Sequence, residues 1–254
     1  MLRVIIAGVT GWTGAPLARA VEAADDLELV AGVARKGADY ASVGEALAAA
    51  RADVVVDYTS ASAVRGNVDA ALAGGAHVVV GSSGLSEADY AELDGTARAA
   101  GLGVIAAGNF SVLAAALLHA ATAAAAHVSH WEVIDYGSAG KADAPSGTAR
   151  ELAERLGEVG PPRPADHDAD LIGPREARGA DVAGTRVHSL RLPGYVVSTD
   201  VVLATPDERL VVRHEAGGSP EPYVAGTLLA IRRAPEVRGV VRGLDRLLFS
   251  AESG

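Results

Sequence analysis

Five short stretches, at residues 2–7, 27–33, 53–57, 77–81 and 103–106, are rich in Val and Ile and apolar almost throughout instead of at alternate positions. A strand with one face in water alternates, whereas a strand covered on both faces does not. Between these runs, residues 13–23, 61–73 and 87–100 have the composition and length of helices. Strand, helix, strand at this spacing requires crossovers of one hand. The first half of the chain is therefore expected to form an α/β doubly wound parallel sheet.

The second half reads differently. A helical stretch at 113–126 precedes a strand at 130–135, a loop, a helix at about 146–156 and a Pro-rich connector at 161–164. Segments at 186–192, 196–203 and 209–214 have β character, with short turns at Pro193-Gly194 and Pro206-Asp207. They predict a mixed or antiparallel sheet in a second, α+β domain. Residues 223–233 look helical and return the chain to the first domain. The 254 residues suffice for one large or two modest domains. The expected division is 1–109 with 226–254 for the first and 110–225 for the second.

Charge and composition exclude several function classes. The formal net charge is −10 and no basic run is present, which argues against nucleic acid or an anionic membrane surface as partner. Cysteine is absent, so disulfides, thiolate catalysis and Cys-based metal sites are excluded. The seven His show no metal-ligand spacing. With no long uncharged apolar run and a strand-like start, a soluble cytoplasmic protein is expected. Only Lys36 and Lys141 are lysines; every other basic residue is Arg.

Gly8-Val9-Thr10-Gly11-Trp12-Thr13-Gly14 follows the first strand and opens the first helix. Glycines there allow a tight turn, close approach of backbone N–H groups to a pyrophosphate and tight helix packing, and the helix start adds partial positive charge. Together with the βαβ pattern this predicts a Rossmann-type dinucleotide-binding domain. The second strand ends in Val33-Ala34-Arg35-Lys36-Gly37. An acid at that place would repel a 2′-phosphate, whereas Arg35 and Lys36 would pair with it, so NADPH is expected over NADH.

A second anion site is expected in residues 135–149. Ser146 or its neighbour can cap the following helix, leaving Gly147 and Thr148 to present N–H groups, with Lys141 five residues before the cap. Amides, a hydroxyl and an ammonium converging there make a cradle for a carboxylate or phosphate.

Lys141-Ala142-Asp143-Ala144-Pro145-Ser146-Gly147-Thr148-Ala149 resembles the K-x-D-A-P-S-G-T-A motif of the 4-hydroxy-tetrahydrodipicolinate (dihydrodipicolinate) reductases, enzymes of the lysine pathway. Gly8 to Gly14, Gly81-Ser82-Ser83-Gly84, Asn109-Phe110-Ser111-Val112 and His188-Ser189-Leu190-Arg191-Leu192-Pro193-Gly194 are similar to further family motifs, in the same order. The resemblance implies a reductase with a domain for NAD(P)H, a mixed-sheet domain for a cyclic imine dicarboxylate, and a homotetramer built through the latter. It places Gly8, Thr10, Gly11, Trp12, Thr13, Gly14, Arg35, Lys36, Thr59, Gly81, Ser82, Ser83, Ala106, Asn109 and Phe110 at the cofactor. Ser138, Lys141, Ser146, Gly147 and Thr148 fall at the substrate.

One departure is chemical. The family carries a His-His pair four and three positions before the motif Lys, used as general acid and carboxylate contact, where this chain has Gly137 and Ser138. Neither can act as an acid near neutral pH. The expected proton donors are then Lys141, Tyr136 or water, and loss of the imidazoles is expected to enlarge the pocket and remove positive charge. The segment between the second and third strands is also shorter than is usual in the family. A short-chain dehydrogenase reading needs Tyr and Lys four apart on a helix, and Tyr136 and Lys141 are five apart across two glycines. A non-catalytic NADPH- or metabolite-binding paralogue, and a true lysine-pathway reductase working without the His pair, are the remaining alternatives.

Overall fold

The computed structural model describes residues 1–163 and 171–249. Pro164 of the expected connector and residues 250–254 of the expected first domain lie outside the described residues. The chain forms two compact units, Met1–Val112 with Pro220–Gly254, and Leu113–Ser219.

The first unit is built on β1 (Leu2–Ala7), β2 (Leu27–Val33), β3 (Val54–Asp57), β4 (His77–Val80), β5 (Gly103–Ala106) and β11 (Gly239–Arg242). They form one parallel sheet in the order β11-β5-β4-β3-β1-β2. Every residue of β3 and β5 is buried, as strands covered on both sides must be. Helices α1 (Gly14–Glu22), α2 (Val43–Ala49), α3 (Val64–Ala73), α4 (Glu87–Ala100) and α7 (Glu221–Arg233) supply the cover. A reciprocal cap starts α4: Ser86 accepts from the Asp89 N–H while the Asp89 carboxylate accepts from the Ser86 N–H. Gly101, at φ +69°, ends it.

Helix α2 and strand β11 were not among the elements expected. Both are short, and β11 adds a sixth strand beside β5 after the chain has returned. A short final helix, α8 (Asp245–Leu248), follows.

The second unit holds β6 (His130–Gly137), β7 (Ala180–Val182), β8 (Thr185–Arg191), β9 (Val197–Ala204) and β10 (Arg209–Ala216) in the order β10-β9-β6-β8-β7. Only β6 and β8 run parallel, so the sheet is mixed. Strict alternation along β6 buries Trp131, Val133, Asp135 and Gly137. Trp131 and Val133 pack with Leu117, Leu118, Leu152 and Leu156 of α5 (Val112–Ala125) and α6 (Gly147–Val159). The opposite side of β6, with Ile134 and Tyr136, stays partly exposed. Among the described residues no helix is long and apolar enough to cross a membrane.

Candidate functional site

In the first unit β1 lies between β2 and β3, so successive crossovers leave it in opposite directions and a crevice opens at the carboxyl ends of the strands. Gly8 occupies the turn there at φ +85°, and a Cβ on it would lie 2.1 Å from the Tyr58 carbonyl oxygen. A Cβ on Gly14 would lie 2.0 Å from the Gly8 oxygen. The Gly11 N–H donates to that same oxygen at 2.8 Å. Only glycine fits this turn. Helix α1 begins with no side-chain cap and no acid in its first turn, so its positive end is not neutralised by the chain. The turn fits a dinucleotide pyrophosphate. Trp12 is 54% exposed, and its ring meets the Tyr223 ring edge-on at 5.7 Å.

Arg35 and Lys36 are exposed after β2 and make no ion pair among the described residues. A Cβ on the neighbouring Gly37 would approach the Thr10 side chain at 3.7 Å, so the basic turn stands beside the glycine turn. The nearby acid Asp39 is engaged inward, accepting from the Gly32 N–H at 2.9 Å.

At the ends of β3 and β4, Thr59 and Ser82 turn their hydroxyls onto Asp57, a fully buried carboxylate. Ser82 also accepts from the Thr59 N–H at 2.7 Å. Sequence reasoning missed Asp57, although an acid closing an otherwise apolar strand was the available signal. Gly81 is required because a Cβ there would lie 2.2 Å from the Tyr58 ring. After β5, Ala106 is buried and Asn109 accepts from the Ser111 N–H at 2.8 Å. Phe110 spends its ring on Tyr58, centroids 6.1 Å apart. Ser83 is exposed. All the expected cofactor residues thus stand at the carboxyl ends of the first unit's strands.

In the second unit the anion cradle is organised by Asp135, which is fully buried on β6. It accepts from the Ser146 N–H (2.9 Å), the Ser146 hydroxyl (2.7 Å), the Ser189 hydroxyl (3.0 Å) and Arg191 Nη2 (2.8 Å). Burial pushes the Asp135 carboxyl up, but Ser146 and Arg191 outweigh it and hold it below its usual range. The Ser146 hydroxyl also accepts from the Ala149 N–H, capping α6. Between them these bonds tie the start of α6 to Asp135. Gly147 and Thr148 follow at the helix start, ahead of the first turn's Arg150-to-Ser146 bond. Lys141 sits in the same loop, its Nζ 2.8 Å from Asp143, and its N–H donates to the Ser138 carbonyl.

Tyr136 lies on the other side of β6 from Asp135 and Gly137, stacks on Tyr195 with centroids 5.0 Å apart, and donates to Asp200 at 3.1 Å. Burial and Asp200 push its pKa up, which makes its hydroxyl a poorer proton donor. Nor does Gly137 leave open space: a Cβ on it would lie 3.1 Å from the Arg191 guanidinium. That guanidinium keeps a positive charge beside the position. Elsewhere, His188 pairs with Glu132 at 2.7 Å, His77 accepts from the Gly103 N–H, and no group of metal-ligating side chains occurs among the described residues.

Residues 2–110 match the family model described as Dihydrodipicolinate reductase, N-terminus, and residues 111–248 match Dihydrodipicolinate reductase, C-terminus. The chain is 38% identical over 248 residues to a 4-hydroxy-tetrahydrodipicolinate reductase of Mycobacterium sp. (strain KMS), covering 97% of this chain and 99% of that one. It is 39% identical over 253 residues to the enzyme of that name from Beutenbergia cavernae, covering 97% and 98%. Among solved structures, the dipicolinate-bound dihydrodipicolinate reductase from Paenisporosarcina sp. TG-14 superposes with a TM-score of 0.82 at 26% identity, covering 97% of this chain and 99% of that one.

Proposed function

The chain belongs to the dihydrodipicolinate reductase family, and from that premise we propose that it uses NADPH to reduce an imine or conjugated imine in a small cyclic substrate bearing a carboxylate. As a member it is an NAD(P)H-dependent oxidoreductase. The reduced nicotinamide supplies the hydride. The glycine turn and the open start of α1 hold the pyrophosphate, and Arg35 and Lys36 select the 2′-phosphate. The turns at Gly81 to Ser83 and Ala106 to Asn109 flank the nicotinamide end.

One observation carries the substrate reading: Asp135 holds the Ser146 N–H and hydroxyl at the start of α6, which fixes the helix start that would receive an anion while Lys141 stands in the same loop. Lys141 then holds the carboxylate and delivers the proton, exchanging its Asp143 partner for substrate. Ser138 lies on that loop and contributes a neutral hydroxyl where relatives place an imidazole. The second unit is the substrate-binding and oligomerisation domain. Leu210 and Val211 on β10, each about half exposed, support a homotetramer built through that sheet. A cytoplasmic location belongs to the same reading.

A second reading, true lysine-pathway reduction without the His pair, is favoured by full-length identity to enzymes of that name. The test follows NADPH oxidation on the product of the lysine-pathway synthase beside a panel of cyclic and amino-acid-derived imines. Turnover of a panel imine above the lysine intermediate supports altered specificity. Efficient turnover of the lysine intermediate establishes the second reading, and NADPH binding with no turnover at all makes the chain a binding paralogue.

A further inference from the structure

We propose that Asp57 is a positioning residue that sets the nicotinamide end of the cofactor crevice, an inference that rests on the cofactor reading above. Its carboxylate is fully buried and takes part in no ion pair among the described residues. A buried carboxylate without a cation is costly unless donors satisfy it. Four do: the Thr59 N–H (3.1 Å), the Thr59 hydroxyl (2.9 Å), the Asn67 amide (2.7 Å) and the Ser82 hydroxyl.

The geometry decides what this set of bonds controls. Thr59 and Ser82 turn their hydroxyls inward onto one carboxylate, so the turns after β3 and β4 are tied together and the protons of these two hydroxyls are already committed. The Asp57 carbonyl also accepts from the Gly81 N–H at 2.9 Å. Gly81 rests against the Tyr58 ring, and the Tyr58 carbonyl rests against Gly8. The Tyr58 hydroxyl is in turn 2.7 Å from Thr227 of α7. Asp57 is thus the common acceptor for two turns that flank the nicotinamide end, while the glycine turn is reached only through Tyr58. Losing the carboxylate frees Ser82 and Thr59 directly and leaves the pyrophosphate turn built by its own glycines.

Calorimetric titration of wild type and Asp57→Asn with NADPH, and with 2′-phospho-ADP-ribose, which lacks the nicotinamide, separates the two ends. Expected is unchanged affinity of Asp57→Asn for phospho-ADP-ribose, loss of the extra affinity that NADPH shows in wild type, and single-turnover hydride transfer slowed by about 10²-fold, the scale of an ångström misplacement. Ser82→Ala and Thr59→Val are expected to show the same pattern more weakly, and they carry the test if Asp57→Asn does not fold. Retention of the NADPH advantage and of the rate overturns the proposal. So does an equal loss of affinity for both ligands, which marks Asp57 as structural only. Failure of wild type to bind either ligand removes the cofactor reading and this inference with it.

Discussion

Gly137→Ala tests whether Arg191 closes the space beside Gly137. A Cβ on Gly137 would stand 3.1 Å from Cζ, Nε and Nη1 of Arg191, inside the roughly 3.5–4.0 Å of a favourable contact. The guanidinium has little room to retreat, being held by the Asp135 carboxylate (2.8 Å), the Asp143 carbonyl (2.6 Å) and the Leu190 carbonyl (2.8 Å). Loosening one such charged hydrogen bond costs about 1.5–3 kcal/mol. Exchanging a strand glycine for alanine returns about 0.5–1 kcal/mol through the unfolded chain. The net expectation is a loss of about 1–2 kcal/mol, or a fall of about 2–8 °C in Tm. Thermal unfolding followed by the fluorescence of Trp131, buried in the same unit, measures it. Gly44→Ala in α2, where a Cβ meets nothing within 4 Å, isolates the backbone gain and is expected to stabilise. In an Arg191→Ala background the penalty at 137 is expected to vanish. A Gly137→Ala protein as stable as wild type refutes the packing argument, and Gly137→His, which carries the same Cβ, is then free to restore an acid.

Four other outcomes are expected. Lys141→Ala lowers kcat/KM by about 10²–10⁴-fold while NADPH affinity, read by calorimetry, is unchanged; undiminished turnover removes Lys141 from the site. Arg35→Ala with Lys36→Ala weakens NADPH by at least about tenfold, some 1.4 kcal/mol, without weakening NADH; equal efficiency of wild type with NADH counts against the 2′-phosphate assignment. Tyr136→Phe keeps turnover and the alkaline side of the pH–rate profile, because its hydroxyl is committed to Asp200 and its pKa is raised. Asp53, lowered from 3.8 to about 2 chiefly by Arg3, and Asp89, lowered likewise chiefly by Ser86 and then Arg65, are charged in the fold below the pH at which the unfolded chain takes up protons. Their stabilisation is complete above about pH 4 and is lost as pH falls toward 2. Asp53→Asn is expected to flatten acid unfolding in that window.

The parallel sheet was legible because burial on both faces leaves a direct mark, an unbroken Val/Ile run, and the glycine turn because sterics permit nothing else at Gly8 and Gly14. Helix α2, β7 and β11 left no such mark, being too short for their periodicity to stand out. Site residues were legible as a neighbourhood and not as roles. Ser146 has the residue type of a ligand, yet which way its hydroxyl points is decided by Asp135, eleven positions earlier on another element. Tyr136 is a related case: strand alternation sends its side chain to the face of β6 opposite Asp135, its neighbour in sequence, which residue type alone does not reveal.

Asp57 and Asp135 show how an acidic chain places buried carboxylates beneath its candidate ligand sites. Each is a fully buried carboxylate at the end of a strand, and each draws nearby hydroxyls and amide N–H groups onto itself. The negative charge is hidden while the backbone around it is held rigid. The two differ in their counter-charge: Asp135 is paired with Arg191, whereas Asp57 is held by neutral donors alone. Removing Ser146's hydroxyl therefore leaves Asp135 with its guanidinium, while removing Ser82's takes away one of few neutral donors. At equal ligand-free geometry, Ser82→Ala is the more damaging of the two to its own unit's stability, and Ser146→Ala acts mainly through the lost cap, about 0.5–2 kcal/mol. The opposite ranking in urea unfolding, read by Trp12 for the first unit and Trp131 for the second, would show that a guanidinium counter-charge does not protect a buried carboxylate against the loss of a hydroxyl donor.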